Sequence, residues 1–229
     1  MDHLQPSWQH AESGVEARIR FVRSVYAWLM AGFLVACLGA LASLATVSVW
    51  IPLLRAGGQF AAIMICVAQF GALWFARAKA HEKGINVFAY GLATGVSGYI
   101  AGMISFIYAA QSGPAIVYQA LGLTALAFLT LTTIAFVTKK DFSFLGSFVM
   151  VGLVIAIVGS LVAMIFHLPA FSVLISCIVV IACSAKILWD TSAMLRTADY
   201  SNPVGFALSL FVSLYNIFIS LLNILGRRR

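Results

Sequence analysis

Lys186 and Asp190 stand in the string A-K-I-L-W-D-T-S, at the end of a long apolar run. They are four residues apart, one helical turn, so on a helix both side chains share a face and can pair. Ionisable groups at membrane depth are costly and face protein or a water-filled cavity, which makes them functional candidates. Two readings follow. The pair is structural, satisfying itself near the membrane edge with Lys186 snorkelling. Alternatively it is a titratable latch in a cavity, where desolvation and the lysine charge act in opposite directions on the aspartate. The next apolar stretch carries Ser209, Ser213, Asn216, Ser220 and Asn223, spaced 4, 3, 4 and 3. That is one polar stripe on a greasy helix, and it needs a protein neighbour. Such stripes glue helices together. Without an acidic residue, this one has no fixed negative charge to draw a cation.

Other residue patterns point to weaker chemistry. Gly95-Val96-Ser97-Gly98 reproduces the G-x-S-G string of intramembrane serine proteases, but a nucleophilic serine needs a histidine within hydrogen-bond reach. The histidine near a span is His167, at the edge of a different one. Strings of small residues are common in membrane helices, so packing is the preferred reading. His81-Glu82-Lys83 lacks the second histidine of a zinc-protease helix. Cys37, Cys66, Cys177 and Cys183 all lie inside apolar runs with no C-x-x-C, so they read as small packing residues. No metal site and no cofactor is expected.

The elements that must position these residues are membrane helices. The chain has 229 residues, 62% hydrophobic and 9% charged, too few charges to cover a soluble surface. Apolar runs of roughly 20 residues recur, each long enough to span a bilayer, without the period-two alternation of a barrel. The spans are expected at about 24–49, closing on Trp50 and Pro52, then 57–76, 85–108, 114–138, 142–166, 170–191 and 203–225. Residues 1–23 read as a flexible cytoplasmic tail with no signal peptide, 24–226 as the membrane domain, and 227–229 as a basic C-terminal end. The stripe Gly91, Gly95, Gly98 and Gly102 predicts a close helix contact. No internal repeat is seen, which disfavours an inverted-repeat transporter.

The net charge of +7 flanks the spans, as topology determinants do, and does not indicate nucleic-acid binding. Arg18, Arg20 and Arg23 precede the first span; Arg77, Lys79 and Lys83 follow the second; Lys139 and Lys140 follow the fourth; Arg196 follows the sixth. The opposite links hold only Arg55. The N-terminus is therefore expected in the cytoplasm. Seven spans put Arg227, Arg228 and Arg229 outside, against the rule, unless the last span is re-entrant. A full crossing is favoured because Val204–Leu225 is long enough.

Several ordered segments together resemble one family. They are F-V-R-S-V-Y near the start, K-K-D-F-S-F-L-G-S-F before the fifth span, I-L-W-D-T-S closing the sixth, and S-L-Y-N-I-F-I-S-L-L-N-I-L-G at the end. The chain resembles the Bax inhibitor-1 (transmembrane BAX inhibitor motif) family across essentially all its spans, and the last string resembles the bacterial YccA-type branch. The resemblance implies an all-α polytopic membrane protein, a seven-transmembrane helix bundle with the last helix central and wrapped by the other six. Channel-like members carry an aspartate on each of the last two helices, sharing a proton as a pH-responsive latch on a calcium leak. Asp190 matches the first position and Ser213 occupies the second, so the pair is incomplete here. Those members also have an arginine at the end of the second helix, for which Arg77 is the nearest candidate.

The YccA-type branch is associated with restraining the membrane-anchored AAA protease FtsH. The resemblance thus implies a non-enzymatic protein of the bacterial inner membrane that binds and modulates FtsH. The alternative is a pH-influenced cation or calcium leak channel of the Bax inhibitor-1 type that uses Asp190. A calcium path wants at least two carboxylates within the spans, and here Asp190 alone qualifies.

Overall fold

A computed structural model of the chain describes residues 7–82, 84–138, 140–197 and 199–226. The first six residues of the expected tail, Lys83, Lys139 and the basic end 227–229 lie outside the described residues. Seven helices follow one another: α1 Ser7–Ala45, α2 Val47–Ala78, α3 Ile85–Ser112, α4 Ala115–Thr138, α5 Leu145–Ile165, α6 Pro169–Arg196 and α7 Pro203–Gly226. Each is long and apolar enough to cross a membrane, and there are no strands among the described residues. In a bilayer every backbone N–H and C=O must be satisfied internally, which is why such runs become helices.

The last helix is the hub. α7 packs on α1, α3, α4 and α6, and touches α2 lightly. Its 24 residues make about 36 Å of helix, enough for the hydrocarbon core. α5 packs on α6, outside this inner set. Leu208, Leu210, Phe211, Leu214, Ile217 and Leu222 of α7 are buried. The helix starts beside the α2–α3 link, where Asn202 Nδ2 lies 3.4 Å from His81 Nδ1. It ends at the far side of the bundle, where the Ser112 hydroxyl donates to the Gly226 carbonyl at 3.3 Å. α7 therefore runs the length of the bundle and does not turn back.

The largest departures from the sequence-based expectation lie at the start of α1 and at the α1–α2 junction, and packing explains both. α1 begins at Ser7, so residues 7–23, placed in the tail, are helical. Phe21 is buried, with its ring 5.4 Å from that of Tyr200 and 5.6 Å from that of Phe206, which docks this segment on the start of α7. Trp50 and Pro52 do not close the first span; they sit inside α2, after a break at Thr46. Trp50 is buried, donates its indole N–H to the Ser43 carbonyl at 2.7 Å and packs edge-on against Phe106. α2 then kinks at Gly58, whose φ of 49° and ψ of −129° suit glycine alone, and the helix expected from 57 starts ten residues earlier, at Val47.

The glycine stripe of α3 meets α1. A Cβ on Gly98 would strike the backbone of Ala36, and one on Gly102 would strike Ser43 Oγ and Ala40. Gly95 is looser and Gly91 faces open space, so only part of the stripe is contact surface.

Candidate functional site

α6 carries Lys186 and Asp190 on the face that meets α7. The Lys186 ammonium donates to Asp190 Oδ2 at 2.6 Å and to Ser209 Oγ, across on α7, at 2.5 Å. The two charged side chains are 13% and 12% exposed, so the pair is largely withdrawn from solvent while its charges meet. One turn further along α7, buried Ser213 donates its hydroxyl to the Ser209 carbonyl at 3.0 Å. Ser213 thus closes on its own helix, and Lys186 is the charged partner of Asp190.

Two cavities adjoin the pair, and both have Arg77, Leu208 and Ser209 in their walls. One, of about 300 Å³, also touches Asp190, His81 and Asn202 at the end of the bundle. The other, of about 400 Å³, touches Lys186, Phe70, Leu73 and Trp74 between α2 and α7. Arg77 is exposed and forms no ion pair among the described residues; it shares a cavity wall with Asp190 and does not bond to it. The fixed charge around these spaces is positive, since the Lys186–Asp190 pair cancels and Arg77 remains.

The rest of the α7 stripe serves elsewhere. Asn223, near the opposite end, donates its amide to Ser172 Oγ and Ser176 Oγ, both at 2.8 Å, and accepts from Tyr108 at 2.9 Å. Asn216 is half-buried and Ser220 buried, and neither forms a side-chain hydrogen bond among the described residues. The stripe is one line in sequence but two clusters in space.

Ser97 is already committed. Its hydroxyl donates to the Ala93 carbonyl at 2.7 Å and accepts from Gln69 Nε2 at 2.8 Å, which ties α2 to α3. No histidine stands with it in these bonds. Among the described residues, no group of three His, Cys, Asp or Glu side chains could hold a metal ion.

A second polar centre was not anticipated. Arg196 Nη2 contacts Asp141 Oδ1 at 2.7 Å and the Lys140 carbonyl at 3.2 Å, and it also reaches Ser192 Oγ. This fastens the α4–α5 link to the end of α6. Hydrogen bonds from the Ser143 hydroxyl and N–H hold the Asp141 carboxyl below its ordinary value, and Arg196 adds to them. Ser201 does the same for Asp199, aided by the charge of His81. Ser172 and Ser176 were also missed, although their spacing of four is the signal that singled out Lys186 and Asp190.

Seven apolar helices, the last of them central and faced by an ion pair, define a polytopic helical membrane protein without a recognisable catalytic or metal centre among its described residues. The family described as inhibitor of apoptosis-promoting Bax1 matches residues 18–229, and the chain belongs to this Bax inhibitor-1 family. It is 36% identical over 166 residues to the Escherichia coli K12 protein named modulator of FtsH protease YccA, covering 72% of this chain and 74% of that one. It is 33% identical over 188 residues to an uncharacterized membrane protein of Vibrio cholerae, covering 82% and 81%. A Helicobacter pylori protein is 28% identical over 208 residues, covering 91% and 86%.

Proposed function

We propose that this chain is a non-enzymatic inner-membrane protein that binds the AAA protease FtsH and modulates its activity, with its N-terminus in the cytoplasm. The observation that carries the proposal is the 36% identity, over about three quarters of both chains, to an E. coli protein named for that modulation. The charge distribution supports the orientation. Arg18, Arg20, Arg23, Arg77, Lys79, Lys140 and Arg196 gather at the end of the bundle where α2–α3, α4–α5 and α6–α7 are linked, and Arg55 lies within α2, nearer its opposite end. The commitment of Ser97 to Ala93 and Gln69 supports a role without covalent chemistry.

The leak-channel alternative draws less support. Hydrated calcium is held by several oxygen ligands, usually with more than one carboxylate, whereas Asp190 is the single carboxylate here and is already neutralised by Lys186. The test is the turnover of a membrane substrate of FtsH in cells that overproduce this protein, together with affinity capture from crosslinked native membranes. Slower turnover and co-purifying FtsH are expected. Unchanged turnover with no captured protease would defeat the proposal.

A further inference from the structure

We propose that the groove between α2 and α7 is a binding site for an anionic phospholipid, with the phosphate on Arg77 and an acyl chain along Phe70 and Trp74. The groove exists because α2 leans on α3 and barely touches α7, which leaves a cavity of about 400 Å³ with Lys186 and Ser209 in its wall. Its lining divides by chemistry along one face of α2. Phe70, Trp74 and Arg77 follow at spacings of four and three, so they stack on the same side. Phe70 is 51% and Trp74 75% exposed, so the apolar part of the groove opens sideways, toward where lipid tails lie.

Arg77 stands in the last turn of α2, at the end of the bundle that also carries Lys79, Lys140 and Arg196. That is headgroup depth for a helix whose preceding turn presents a tryptophan, a residue at home at the membrane interface. The guanidinium forms no hydrogen bond or ion pair among the described residues, so its planar fork is open to a phosphate, which it can grip with two parallel bonds. Lys186 does not compete for the anion or repel it. Its charge is balanced by Asp190, and two of its three donors are occupied by Asp190 and Ser209. The net charge left facing the groove is that of Arg77. A cation is therefore disfavoured, and a soluble anion would gain nothing from the Phe70, Leu73 and Trp74 walls. An anionic lipid satisfies both halves. Basic pockets between membrane helices on the cytoplasmic side take headgroups in this way.

The experiment is native mass spectrometry of the full chain in detergent, titrated with phosphatidylglycerol, phosphatidylcholine or glycerol 3-phosphate. Phosphatidylglycerol should bind at lower concentration than phosphatidylcholine, and glycerol 3-phosphate should not displace it. Arg77→Gln should weaken phosphatidylglycerol binding about fivefold, the loss expected for one basic residue at an anionic surface. Arg77→Lys should fall between the two. Arg55→Gln, an exposed arginine near the other end of α2, should bind as the unmodified chain does. Should Arg77→Gln fail to fold, Trp74→Ala, at an exposed position, serves instead and should also weaken retention of the lipid. Equal binding of the two lipids, an Arg77→Gln or Trp74→Ala protein that binds like the unmodified one, or an equal loss in Arg55→Gln would overturn the site. Displacement by glycerol 3-phosphate would reassign it to a soluble phosphate, against the proposal. Each of these readouts is independent of FtsH.

Discussion

The α6–α7 pair is stitched by polar groups at both ends, and the two stitches are built differently. At one end Asn223 binds Ser172, Ser176 and Tyr108, all neutral. At the other, Lys186 binds Asp190 and Ser209, and the two cavities described above adjoin it. A neutral amide with its donors and acceptor used is helix glue, and its removal forfeits little more than its own bonds. A charge pair is conditional, because each member is tolerable at that depth only while the other is present. The same two helices thus hold a passive contact and one that can be upset by a single charge.

The largest expected effect breaks the charged stitch. Asp190→Asn strands the Lys186 ammonium and should cost about 3 kcal/mol of stability. Lys186→Met with Asp190→Asn should recover most of that loss, since no lone charge remains. Thermal unfolding in detergent of the two single variants and the double variant measures the coupling; additive losses would mean that the pair does not act as one.

Next comes the neutral stitch. Asn223→Ala should lower stability by about 1 kcal/mol, in the range of interhelical hydrogen bonds measured in membranes. A cost equal to that of Asp190→Asn would erase the distinction between the two ends.

Ser213→Asp sharpens the comparison from the other side, by placing a second carboxylate one turn from Ser209. The unmodified protein should show little pH-dependent calcium flux in liposomes, and the variant should acquire pH dependence, because two neighbouring carboxylates titrate as a coupled pair. Strong flux through the unmodified protein, abolished by Asp190→Asn, would favour the channel.

The smallest effect lies outside the membrane, at the Asp141 clasp. Its carboxyl is held below the ordinary carboxylate value of about 3.9 by Ser143 and Arg196. A depressed folded value stabilises above the unfolded one, so the contribution is complete at neutral pH and disappears as pH falls below about 4. Asp141→Asn should therefore cost a little stability at neutral pH, little because the side chain is exposed, and nothing well below pH 4, which flattens the acid side of the stability profile. A loss in acid as large as that at neutral pH would show that the link is held in another way.

The spans from α3 to α7 were legible because lipid leaves a backbone no choice but helix, and the length of each apolar run then sets its ends. The pairing of Lys186 with Asp190 was legible too, since a spacing of four on a helix settles proximity without any knowledge of the fold. What lay beyond reach depended on which helix stands beside which. Residues 7–23 read as tail because their polarity is high, but Phe21 finds Tyr200 and Phe206 across nearly the whole length of the chain. Pro52 read as a terminator, yet it lies inside α2, whose Trp50 is anchored to Ser43 of α1 and Phe106 of α3. Sequence spacing placed Ser209 and Asn223 on one stripe; only the crossing of α6 over α7 gave the first a lysine and the second two serines. Sequence alone thus determined the helices and their local pairs, because those follow from hydrophobicity and the 3.6-residue turn. The tertiary structure decided the cavities, the open guanidinium of Arg77 and the division of the polar stripe, because these arise where helices far apart in sequence approach or fail to meet.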